Sequence, residues 1–142
     1  MALLLYSYAK GIQSSREIER KCREDVAFMV IAALAAPDHS TIAEFRRRHE
    51  RALAELFTGV LGLCRRAGLV RVGLLAVDGM KLRANASQHA NRDYRRVVEE
   101  LLAEAERVDR EEDERFGKDR RGDELPEQLR TPQGRQAAFG QA

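Results

Sequence analysis

The feature that most constrains this chain is a run of residues in one helical phase. Ile42, Phe45, His49, Leu53, Leu56, Phe57, Val60, Leu61 and Cys64 recur at three- and four-residue steps until Gly68. Such a pattern places one continuous stripe along a helix and needs other elements to cover it. Thr41 followed by Glu44 reads as a capping box that starts this helix, and Gly68 as its stop. The first half of the chain is therefore expected to be helical, with this long segment at its centre.

The residues ahead of it supply candidate partners. Residues 3–10 read as a short apolar helix stopped by Gly11 in the left-handed conformation. Ser14 with Glu17 forms a second capping box, starting a helix that runs to about Arg23. Asp25 caps a third helix carrying Val26, Phe28, Met29, Ile31 and Leu34, which ends before Pro37 because a residue preceding proline avoids the helical region. Residues 35–40 are left as a turn.

After Gly68 the period changes. Residues 69–77 are aliphatic and β-branched, Asp78-Gly79 follows, and residues 80–84 resume, which reads as a strand, a tight turn and a second strand. From Asn91 the helical period returns, with Tyr94, Val98, Leu101, Ala105 and Val108 forming a narrow apolar stripe among charges. Residues 107–121 are almost all charged and read as a solvated helix end, and residues 122–142 as a disordered tail. The expected fold class is mainly α: a helical domain over residues 1–68, a β-hairpin over 69–90, a long charged helix over 91–121, then the tail.

Charge bears on partners through its distribution. The net charge is only +2 although 34% of residues are charged, so the balance alone indicates no polyanion. Arg46, Arg47 and Arg48 nevertheless form a run, and Arg16 and Arg20 sit near the start of the second helix. Arginines beside helix N-termini suit phosphate oxygens; the same run also suits a solvated helix face. Cys22 and Cys64 lack a C-x-x-C partner and read as packing residues of a reduced, cytoplasmic protein. The apolar opening at residues 2–6 is too short to span a membrane.

Three blocks then carry a resemblance: residues 8–19 (YAKGIQSSREIE), residues 37–46 (PDHSTIAEFR) and residues 76–87 (AVDGMKLRANAS). In this order they resemble bacterial insertion-sequence transposases. The first two are similar to the InsH-type N-terminal domain, which implies binding of DNA at the element's ends. The third is similar to the strand that opens the RNase H-like DDE catalytic domain, and residues 91–126 resemble an insertion following the first aspartate. On that resemblance Asp78 is the first catalytic carboxylate and a metal ligand, and the hairpin is the start of an incomplete RNase H-like fold. Spacing alone favours a hairpin turn at Asp78-Gly79 over a metal ligand; the resemblance reverses that for ancestry and not for activity.

The resemblance implies two Mg²⁺ ions held by three carboxylates in the full-length family. The second Asp and the Glu have no match here, Met80 stands where the family has Thr, and residues 136–142 drift from the family pattern. The expectation is a truncated transposase that binds no metal and performs no catalysis alone. DNA, a second copy or a full-length transposase are the expected partners. Asp38 and His39 precede a helix and read as a capping turn rather than as metal ligands. A retained regulator that blocks the active enzyme and a functionless remnant remain the alternatives.

Overall fold

A computed structural model describes residues 1–69, 75–77, 80–82 and 90–139. The described part is mainly α-helical. Helix α1 (Ala2–Ala9) is followed by α2 (Ser15–Glu24), α3 (Val26–Ile31), α4 (His39–Arg48) and α5 (Glu50–Arg66). Two three-residue strands, β1 (Leu75–Val77) and β2 (Met80–Leu82), pair antiparallel with Val77 opposite Met80. Asp78 and Gly79 lie outside the described residues. Helix α6 (Ala90–Phe116) is the longest element, and two short helices follow, α7 (Glu127–Arg130) and α8 (Pro132–Phe139). The stretch expected to be a disordered tail thus contains helix.

Local signals explain the first helix boundaries. Gly11 adopts φ 76, which closes α1. The Ser14 hydroxyl accepts from the Glu17 N–H at 3.1 Å, so the expected cap is present. Asp25 ends α2 and caps α3, accepting from Ala27 N–H at 2.9 Å. Helix α3 stops earlier than expected. Ala33 and Leu34 take φ 53 and 62, a left-handed conformation that costs L-residues about 1–2 kcal/mol each, and this turn ends the helix several residues before Pro37.

The long central helix differs from its expected form in two ways. Its N-cap is Asp38, not Thr41: the Asp38 carboxylate accepts from Thr41 N–H at 2.7 Å and from the Ser40 hydroxyl at 2.6 Å. The helix then breaks at His49, whose φ and ψ are −116 and 19, giving α4 and α5. The backbone ladder crosses the break through His49 N–H to Phe45 O and Leu53 N–H to His49 O. The apolar phase therefore survives the bend, which is why the sequence reads as one helix.

The core joins segments that sequence reading separates. Leu4 and Tyr8 of α1, Ile18 and Cys22 of α2, Phe28 of α3, Ile42 of α4 and Leu53, Ala54 and Phe57 of α5 form one buried cluster with Val98, Leu102 and Ala105 of α6. Helix α6, expected as an insertion in a second domain, is thus a wall of the N-terminal helical core. At about 1.5 Å per residue its 27 residues reach some 40 Å. Cys22 is buried as expected, and burial raises its thiol pKa. No helix among the described residues is long and apolar enough to cross a membrane.

Two outcomes follow. Replacing Leu102 by Ala should destabilise the chain by about 2–5 kcal/mol in a single urea transition followed by circular dichroism; a separate transition for the N-terminal helices would contradict a shared core. Hydrogen bonds from Ser40 and Thr41 hold the Asp38 carboxyl at about 2, so its cap contribution is complete above the ordinary value near 3.8 and is lost as pH falls through about 2. Asp38→Ala should cost roughly 0.5–2 kcal/mol at neutral pH, and the difference from wild type should vanish at the acid end of a pH series.

Candidate nucleic-acid interface

The polar part of the structure is built where α2, α4 and α6 meet. On α6, Tyr94, Val98, Leu102 and Ala105 are buried along one face. The next residue in that phase is Asp109, also buried, and one turn further come Glu112 and Asp113. The face thus changes from apolar to acidic without leaving its phase. Its apolar half meets α5, and its acidic half meets the N-terminus of α2 and the arginines of α2 and α4.

Asp109 sits at the centre. One carboxylate oxygen accepts the Ser15 backbone N–H at 2.8 Å, and the other accepts the Ser15 hydroxyl at 2.6 Å. The Arg46 guanidinium donates to Asp109 and reaches the Tyr8 hydroxyl at 3.3 Å. Arg46 is only 2% exposed. Burial acts against its charge, but Tyr8 and Asp109 outweigh that penalty and hold its pKa above the ordinary arginine value. Tyr8 moves up as well, mainly because burial disfavours the phenolate. Among the described residues the Arg46 Nε has no partner, so the pairing is strong but incomplete.

A second layer lies over Arg16. Its guanidinium donates to Asp113 at 2.7 Å, and to the carbonyl oxygens of Gly117 and Arg120 at 2.8 Å each. Ser14 donates its hydroxyl to Glu112 at 2.7 Å. Beside them Glu19 accepts the His39 backbone N–H at 2.9 Å and lies 2.8 Å from His39 Nδ1, while His39 Nε2 donates to the Lys118 carbonyl at 2.9 Å. Carboxylates from other helices thus receive the first N–H groups of both α2 and α4, where the helix dipole favours negative charge. His39 thus ties the start of α4 to Glu19 of α2 and to the backbone just after α6, consistent with the capping-turn expectation.

The five arginines expected to face phosphate therefore divide. Arg16 and Arg46 are buried at 6% and 2% exposure, Arg16 donating to a carboxylate and two carbonyls and Arg46 to Asp109 and the Tyr8 hydroxyl. Contact of either with phosphate would require breaking those pairs. Arg20, Arg47 and Arg48 are exposed. Arg20 pairs loosely with Glu17 and Glu24 at 3.7 and 4.0 Å, and Arg47 pairs with Glu44 at 2.9 Å. The side chain of Arg48 has no ion pair among the described residues.

The charged half of α6 keeps a solvated face, with Arg107, Arg110, Glu111, Glu114 and Arg115 exposed as expected, but its other face, Asp109, Glu112 and Asp113, is the counter-charge for buried arginines. Sequence reading missed this because Asp109 is polar; the available signal was its position four residues beyond Ala105, in phase with the stripe. Asp78 lies outside the described residues, and among those described no group of three or more His, Cys, Asp or Glu is arranged to hold a metal ion. An open apolar cleft of about 930 Å³ borders Leu5, Tyr6, Val60, Cys64, Val97 and Leu101, and its lining offers phosphate no charge.

Because Asp109 and Arg46 neutralise each other while buried, removing one partner should be costly. Asp109→Ala should lower stability by about 3–5 kcal/mol in urea unfolding. A loss under about 1 kcal/mol would mark the pair as no more valuable than a surface bridge.

Comparison with known proteins gives one match. No curated protein and no solved structure matches the chain. Residues 1–48 match the family described as Transposase domain (DUF772), and the matched stretch ends where α4 ends. The N-terminal region of this chain, helices α1 to α4, is therefore transposase-related.

Proposed function

We propose that this chain is a transposase-derived DNA-binding module that carries the first catalytic-type aspartate and does not transfer strands by itself. The observation that carries the reading is the match of residues 1–48 to a transposase domain. Supporting it, the matched region presents Arg20, Arg47 and Arg48 to solvent on helices α2 and α4. Arginines on helices held by a packed core can contact phosphates without ordering a new segment, which limits the entropic cost of binding. The DNA favoured by this reading is the end of an insertion element, contacted through the backbone; no base-reading helix is assigned.

In the same reading the segment around Asp78 is inherited from the opening strands of an RNase H-like catalytic domain. Asp78 is then the carboxylate that would join two others on Mg²⁺ in a full-length relative. Two-metal phosphodiester chemistry needs ligands that bridge or flank both ions, and the second Asp and the Glu of the family pattern have no match in this sequence. A retained role as a regulator follows if the module occupies element ends, or pairs with a full-length transposase, without cutting.

The test is binding of the purified, monodisperse chain to duplex DNA carrying an element's terminal repeat, at two salt concentrations, against random duplex. Binding should weaken with salt in proportion to the phosphates contacted, with a logarithmic slope of about −0.9 per contact. Arg47→Gln with Arg48→Gln should make that slope shallower by about two contacts' worth while leaving the fold intact. A folded sample that binds neither duplex would overturn the reading, and strand cleavage with Mg²⁺ would overturn its non-catalytic part.

A further inference from the structure

Residues 117–122 form a strap that differs from everything beneath it. It leaves the end of α6 at Gly117, with φ 89, and ends at Gly122, with φ 85, so both of its ends use a conformation open mainly to glycine. Its side chains are exposed throughout. It is tied down chiefly through its own carbonyls: those of Gly117 and Arg120 accept from Arg16, and that of Lys118 accepts from His39. No apolar side chain within it enters the core. Lifting it would expose polar groups to water and leave Val98, Leu102 and Ala105 in place.

What lies under the strap is a set of anion-binding donors already occupied by carboxylate. Arg16 is held by Asp113, with Glu112 at 3.8 Å. Glu112 and Asp113 retain 27% and 31% side-chain exposure, whereas Asp109 retains 8%. The outer carboxylates are therefore reachable by solvent ions and the inner one is not. A guanidinium beside a helix N-terminus is the arrangement that holds a phosphate oxygen; here the chain's own acids hold it.

We propose that the strap, with Glu112 and Asp113, is an autoinhibitory clamp that keeps Arg16 from the DNA backbone until phosphate displaces it. This rests on the DNA-binding reading above and adds a second state to it. In the closed state only the exposed arginines meet DNA. In the open state the strap swings on Gly117 and Gly122, and Arg16 exchanges Asp113 and the two carbonyls for a phosphate. The Arg46–Asp109 pair remains closed in both states and holds α6 on the core.

The experiment is limited trypsin digestion of the full chain, since Lys118, Arg120 and Arg121 place three cleavage sites in the strap and cutting requires the strap to open locally. Glu112→Gln with Asp113→Asn should raise the rate of cutting at these sites several-fold without DNA, while circular dichroism stays unchanged. Duplex DNA should raise it for the wild-type chain. The same double variant should bind DNA more tightly, with a salt slope steeper by about 0.9, and adding Arg16→Gln should remove that gain. If cutting is unchanged by the double variant, the clamp is overturned, whatever the chain's affinity for DNA. If the variant's strap opens but neither chain binds DNA, the clamp as a control on DNA contact falls together with the DNA-binding reading. If both bind DNA equally, the clamp falls and that reading stands.

Discussion

The rest of the fold depends on one buried ion pair. Arg46 of α4 and Asp109 of α6 meet beside Tyr8 of α1 and Ser15 of α2, so four helices converge on a single charge-neutral contact. Burying two charges is expensive unless they find each other and further donors. Asp109 receives an N–H, a hydroxyl and a guanidinium, which meets that condition on the acidic side. Dispersion and burial are not directional in themselves, so hydrophobic packing alone leaves the fit of α6 against α5 less sharply defined than a paired contact does. The narrow apolar stripe of α6 sets one rotation, and the ion pair, in the same phase, fixes it with Asp109 under Arg46 and, one turn later, Asp113 under Arg16.

That selection links fold to function in an unexpected direction. The arginines most visible in the sequence are not all available to a partner, because the chain supplies its own acids to the deepest of them. The exposed subset, Arg20, Arg47 and Arg48, is what a polyanion would meet first. A net charge of +2 then reflects a basic N-terminal region facing an acidic helix within one molecule, more than a weakly basic surface.

Much of the helical half was legible. The Ser14 and Asp25 caps and the Gly11 stop act through neighbouring residues, so their signals are local. The capping turn at Asp38 and His39 is legible, but the helix is capped by Asp38 and not Thr41 because candidate caps stand close together and only the geometry shows which oxygen receives Thr41 N–H. The end of α3 was misread because two left-handed residues, Ala33 and Leu34, carry no compositional mark as glycine would. The largest miss was the role of α6. Its apolar stripe was seen, but its partners lie some forty to ninety residues back, and pairing of that range leaves no trace in spacing. The hydroxyl-to-carboxylate and guanidinium-to-carboxylate contacts between α2, α4 and α6 are invisible in the sequence for the same reason, whereas the transposase likeness of the first blocks stands in the match over residues 1–48.

The placement of α6 also sets an order on biosynthesis. The cluster that includes Leu4, Ile18 and Leu53 is sealed by Val98, Leu102 and Ala105, so the emerging chain carries an open apolar face for as long as the ribosome takes to reach and release the second half of α6. Helices α1 to α4, of 6 to 10 residues each, are too short to hold without tertiary packing during that interval, and Arg46 waits without its counter-charge. A nascent chain stalled or cleaved before Asp109 would present both the uncovered face and an unpaired arginine, and would be a natural substrate for chaperones or proteases rather than a smaller working version of the protein.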